Sequence, residues 1–88
     1  MLDFDLADCG LEGAFIVTRP DGGLRYAVIC KSLPQKILAS LKLAAQLGET
    51  VRIQTKEGLY VLDQVTIEPL ASGAVRLAGR IKERSEGR

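Results

Sequence analysis

The sequence predicts an α+β domain in the order ββαβββ, with a five-strand, mostly antiparallel sheet and one helix packed on it. Three observations carry that expectation. Two tight turns, Pro20-Asp21-Gly22-Gly23 and Glu57-Gly58, each separate two apolar runs. One stretch, "SLPQKILASLKLAAQLGE", repeats its apolar residues at helical spacing, and the segments after it alternate apolar and polar residues as half-buried strands do. At 88 residues the chain is one domain near the lower limit of what a single core stabilises unaided. Self-association is therefore expected. The domain is assigned to residues 13–83, between an acidic leader (1–12) and a polar tail (84–88).

Taken in order, the first strand covers Ala14 to Arg19, where Phe15, Ile16 and Val17 run together. A continuous apolar run of this kind predicts a strand covered on both faces. The second strand follows from Leu24 to Lys31, with Leu24, Tyr26, Val28 and Cys30 on one side. Between the two, proline fixes φ, aspartate favours a turn and the glycines tolerate positive φ. A phosphate cradle would need the glycines to lead from a strand into a helix N-terminus. Here they lead into another strand, so the pair reads as a hairpin turn.

The helix is placed at Leu33 to Leu47. Ser32 is its expected N-cap, with Gln35 completing a capping box, and Gly48 its stop. Its apolar residues cover about half the circumference, more than the stripe of ~100° that one sheet requires. Leu43 and Leu47 form the surplus flank. Either a second subunit covers it, together with an exposed strand edge, or the N-terminal Leu2, Phe4 and Leu6 fold over it.

Three strands complete the order. Val51 to Lys56 and Val75 to Lys82 alternate cleanly, whereas Leu59 to Glu68 is long and its period sets Asp63 among Leu59, Val61, Val65 and Ile67. A bulge at Asp63-Gln64 that re-aims the chain is favoured over a buried, paired carboxylate, because an unpaired one is so costly. "PLASG" is the last turn.

Enzyme chemistry finds no inventory. Histidine is absent and the two cysteines, Cys9 and Cys30, are too few for a zinc site or an imidazole-activated thiol. Cys30 reads as a small buried hydrophobe, and Cys9 takes no role. Asp63 is the one acid in an apolar setting, without a second carboxylate to share acid–base work. No catalytic residue, metal site or cofactor is assigned. No apolar run approaches the ~20 residues of a membrane span and the start lacks the features of a secretory signal, so a cytoplasmic protein without membrane contact is expected.

Charge is uneven. Residues 1–12 hold four acids and no base, leaving seven acids against all 12 lysines and arginines in the rest, a net of +5 there. Arg52, Lys56, Arg76, Arg80 and Lys82 lie on the polar faces of two predicted strands. If those strands share a sheet, the cations form a stripe suited to an acidic protein surface or to phosphates. A merely solvated face fits as well. Aromatic residues to stack on bases are missing from these strands, which places nucleic acid behind a protein partner.

The stretches "LEGAFIVTRPDGGLRYAVI", "ILASLKLAAQLGE", "VRIQTKEGLYVL" and "PLASGAVRLAG" resemble the roadblock family of small dimeric domains related to the dynein light chains. The similarity spans residues 11–81. The family's long first helix is missing, "DQVTIE" looks inserted and no terminal helix follows. The resemblance implies a noncatalytic homodimer that serves as scaffold or regulator, often for a small GTPase, with no catalytic residues to carry over. A rival is a small Sm-like barrel that binds RNA through loops, with "ETVRIQTKEGLYVLDQVTIEP" and "AVRLAGRI" as barrel strands.

Overall fold

A computed structural model describes residues 1–86. The fold is α+β: strands β1 (Leu2–Asp5), β2 (Leu11–Thr18) and β3 (Leu24–Cys30), helix α1 (Gln35–Gln46), and strands β4 (Val51–Gln54), β5 (Gly58–Pro69) and β6 (Val75–Glu86). All six strands form one sheet in the order β1-β4-β5-β6-β3-β2. The β1–β4 pair is parallel and the other pairs are antiparallel.

The sixth strand corrects the five-strand expectation, and it comes from the segment read as an acidic leader. Leu2 to Asp5 lie against Val51 to Gln54 in register. The Leu6 N–H then donates to Gln54 O at 2.9 Å, and Cys9 N–H closes a turn onto Leu6 O. Three residues after Leu6, Cys9 O accepts from Ser32 N–H at 2.9 Å, just beyond the end of β3. Strands β1 and β2 are the two ends of the sheet, yet only five residues of chain separate them. That span reaches at most ~20 Å, so the sheet must curl until its ends lie a turn apart. Leu6 and Cys9, at the closure, are buried in the core.

The helix begins two residues later than predicted, and Ser32 is not its cap. Pro34 is the N-cap, at φ −60° and ψ 144°, with no side-chain hydrogen bond at that end. The reason lies in the Leu33-Pro34 step: proline drives the preceding residue out of the helical region, which leaves Ser32 outside capping reach. The C-terminal stop is as expected. Gly48 takes φ 69°, its N–H donates to Ala45 O and the Glu49 N–H donates to Ala44 O, the paired bonds of a Schellman motif. Leu41 and Ala44 face inward, and the helix packs on β5.

The first hairpin turn uses both glycines. Arg19 N–H donates to Gly23 O and Gly22 N–H to Arg19 O, while Gly22 sits at φ 88° and Asp21 Oδ1 accepts from Gly23 N–H at 2.8 Å. This is a β-turn followed by a left-handed residue, the arrangement of a three-residue hairpin loop. Leu70 to Ala74 repeats it, with Gly73 at φ 91°. The second predicted turn is tied by buried Thr55, whose Oγ1 accepts from the N–H groups of Glu57 and Gly58 and donates to Gly58 O.

Strand β5 carries the bulge anticipated at Asp63-Gln64. Register shifts between Asp63 and Thr66, and Gln64 takes φ 51°. The inserted residue reverses the alternation, so Tyr60 and Leu62 before it and Val65 and Ile67 after it all reach the core. Asp63 turns to the opposite face, its side chain 16% exposed. Gly79 lies beneath: a Cβ there would meet Leu62 Cβ and Asp63 O at 3.1 Å. Strand β6 continues through Glu86, into the segment read as a polar tail. Positions 87 and 88 of that tail lie outside the described residues.

Candidate interaction surface

The predicted cationic stripe does not stand free. Arg52 lies directly across from Asp3, Arg76 from Glu68 and Arg80 from Asp63 in the strand registers, and each pair is joined. Arg76 Nη1 meets Glu68 Oε1 at 3.2 Å. Arg80 grips Asp63 with two parallel bonds, Nε to Oδ1 at 2.9 Å and Nη2 to Oδ2 at 2.6 Å. The Arg80 guanidinium holds the Asp63 carboxyl below its ordinary range, chiefly through that hydrogen bond, against the opposing effect of burial. Arg52 does the same to Asp3. Strand β5 separates Arg52 from the β6 cations, and Lys56 sits in the β4–β5 turn rather than on a strand. Lys82 is the residue of β6 left unmatched where the register shifts beside Val61 and Leu62. Both turn and strand place these two lysines on exposed backbone.

The thiols are placed away from solvent. Cys30 is wholly buried, as expected for a small hydrophobe, and burial pushes its thiol up to about 11. Burial, with Asp5 and Asp8 nearby, likewise raises the thiol of Cys9. Neither is a thiolate at neutral pH, so neither has the nucleophilic form. Tyr26, stacked on Tyr60 with ring centroids 4.3 Å apart, is also buried and its hydroxyl is raised. Among the described residues, no group of three or more His, Cys, Asp or Glu side chains is placed to hold a metal, and no helix is long and apolar enough to cross a membrane.

What stands exposed is apolar. The run predicted to be covered on both faces is instead a terminal strand of the sheet, and β2 is exposed from Glu12 through Thr18. Phe15 is 55% exposed, Ile16 37% and Val17 47%. The register sets Phe15 and Val17 opposite Ala27 and Arg25, and Ile16 opposite Tyr26. Phe15 and Val17 thus rim a shallow depression of ≈ 370 Å³ on the outer face of the sheet, floored by Ala27 and Ala78 and flanked by Arg25 and Arg76. Arg25 reaches Thr66 Oγ1 at 3.4 Å and lies across from Arg80. Leu43 and Leu47, predicted for self-association, are 56% and 67% exposed on the far flank of α1 from Leu41 and Ala44.

The two sheet ends contrast. Strand β1 is four residues long and carries Asp3 and Asp5, features that discourage pairing with another chain. Strand β2 is twice that length and has no charge or proline from Gly13 to Thr18. Sequence reasoning assigned no role to Phe15, Ile16, Val17 or Arg25. The signal was present in the unbroken apolar run beside a tight hairpin, which marks either a buried strand or one awaiting cover. No family model matches the chain, and neither a curated protein nor a solved structure is significantly similar to it.

Proposed function

We propose that this chain is a noncatalytic protein-interaction module that takes up a strand of protein along the free edge of β2. The observation that supports this reading is the exposure of Phe15, Ile16 and Val17 on a terminal strand with unpaired backbone groups. Such an edge recognises an extended segment through main-chain hydrogen bonds, and the side chains on either face supply the apolar contact. The ion pairs weigh against nucleic acid: three of the five predicted cations already meet carboxylates across the strand. The narrower form, a roadblock-like regulator of a small GTPase, rests on the resemblance of residues 11–81.

The test compares wild type with Ile16→Lys and with the double variant Arg76→Glu, Arg80→Glu, each checked for retained fold by circular dichroism. Retention from the protein's own cell extract should yield a discrete protein that Ile16→Lys loses, while generic single-stranded oligonucleotides stay unbound at low salt. An RNA binder using all five cations would instead show a log–log salt slope of roughly −3.5. Specific RNA retention abolished by the double variant would overturn the reading.

A further inference from the structure

We infer that the strand taken up by β2 is an acidic segment of a different protein, which sets a carboxylate on Arg25 and an apolar side chain against Phe15. This rests on the strand-edge reading above and names the chemistry of its occupant.

The strand registers lay out the outer face of the sheet in rows. Val17, Arg25, Arg80 and Asp63 stand side by side in one row, and Phe15, Ala27, Ala78 and Thr66 in the next. Ile29, Arg76 and Glu68 follow in a third. The alanines of the middle row lie between longer side chains on both sides, and the depression of ≈ 370 Å³ forms over them.

Charge on this face is balanced except at Arg25. Arg80 and Arg76 are each met by the carboxylate of their own row, Asp63 and Glu68. Among the described residues no carboxylate pairs with Arg25. Its contact with Thr66 Oγ1, at 3.4 Å, is at the long limit of a hydrogen bond, and its neighbour in the row is a like charge, Arg80. Like charges directly opposed on a sheet face are destabilising. Arg25 is also half-buried, so an ion pair formed there is screened less than one on open surface. A cation held in this way beside an apolar floor is complementary to a carboxylate carried by an apolar segment.

The usable edge begins after the bulge of β2. Register shifts between Glu12 and Phe15 and Gly13 takes φ 64°, which leaves Phe15 to Thr18 for regular pairing. Arg19 N–H points inward, to Gly23 O, so alternation turns the backbone groups of Val17 inward and those of Ile16 and Thr18 to the free edge. A strand bonded to Ile16 and Thr18 places side chains beside Phe15 and Val17 on the outer face, two positions apart. The one beside Val17 lies in the row of Arg25. Strands stand ~4.8 Å apart, so the Arg25 backbone is ~10 Å from the added one, a gap that glutamate and arginine side chains close together across Val17. Glu57 lies on the inner side of the edge, around a gap of ≈ 230 Å³ with Ile16 and Tyr60, and makes the inner position unsuited to an acid. An antiparallel segment therefore reads acid, any residue, apolar residue, and a parallel one reads the reverse.

Random peptides displayed on phage and selected on the full chain at low salt supply the probe, with the enriched peptides then synthesised and titrated by fluorescence anisotropy. They should carry Asp or Glu two positions from an apolar residue. Arg25→Glu should weaken them by about tenfold or more, the worth of one charge-assisted bond, and selection on that variant should enrich Lys or Arg at the acid's position. Arg25→Gln, which removes the like-charge contact with Arg80, should also weaken them while its urea midpoint stays at or above that of wild type. Enriched peptides without an acid, or ones that both Arg25 variants bind as tightly as wild type, would overturn the inference; their loss from Ile16→Lys would still uphold the strand-edge reading. Acidic peptides that Ile16→Lys retains would overturn the inference and that reading together. Failure of any peptide to enrich would sink both.

Discussion

If residues 1–10 are part of the fold, then removing one side chain from the closure must cost as much as a cut in the central core. Leu6 is fully buried and lies in the cluster with Val51, Ile53, Leu62 and Leu77. Leu6→Ala deletes three carbons and leaves a cavity, a change that costs about 2–5 kcal/mol depending on how far the site collapses. A domain of 88 residues has roughly 4–13 kcal/mol of total stability at the usual density per residue. The substitution thus removes a large share of it. With a urea slope near the low end for small proteins, about 1 kcal/mol/M, the unfolding midpoint should fall by ~2 M or more at unchanged slope. Leu47→Ala, at a side chain 67% exposed, is the control and should stay within about 0.5 kcal/mol of wild type. Urea titrations followed by far-UV circular dichroism measure both. A Leu6→Ala loss no larger than that of Leu47→Ala would mean that the N-terminal run is not docked, and the closure would have to be abandoned.

Three other outcomes are expected. Arg80 depresses the folded pKa of Asp63, so the resulting stability is fully present above the ordinary carboxyl value and disappears as pH falls through the lowered one. Urea midpoints should therefore drop between pH 7 and pH 3 by more in wild type than in Asp63→Asn, and parallel declines would refute the pairing. Gly79→Ala should lower the melting temperature by several degrees, ~1–2 kcal/mol, because its Cβ would press on Leu62 Cβ and the Asp63 carbonyl; an unchanged value would remove the bulge from that site. Cys9 and Cys30 should react with a thiol reagent at the rate of global unfolding and accelerate with urea, since burial raises both thiols. Fast labelling in native buffer would show that one of them is exposed.

Local chemistry was legible and long-range pairing was not. The hairpin at Pro20 to Gly23, the glycine stop of α1 and the bulge at Asp63 each follow from residues within a few positions of one another. Asp63 is instructive, because its misfit in the alternation was the whole signal: a carboxylate on the apolar side required either a partner or an extra residue. The structure supplies both, a bulge and Arg80. The partner of Asp3 could not be read in the same way. Arg52 stands 49 positions away, and a four-residue parallel strand announces itself only through the neighbour it joins. The carboxylates that meet three of the five predicted cations were hidden for the same reason. Alternation put Arg52, Arg76 and Arg80 on polar faces, but only strand order reveals the carboxylates that face them.

Strand β2 is the reverse case, where the pattern was read correctly and its meaning was not. An unbroken Phe15-Ile16-Val17 run belongs where apolar side chains are covered on both faces. Among the described residues they are only partly covered, 37–55% exposed, because β2 terminates the sheet. At the other end β1 meets the same hazard with a short strand, two aspartates and the Asp3–Arg52 pair. One chain thus protects one edge and leaves the other bare. The bare stretch is the six residues from Gly13 to Thr18, free of charge between Glu12 and Arg19.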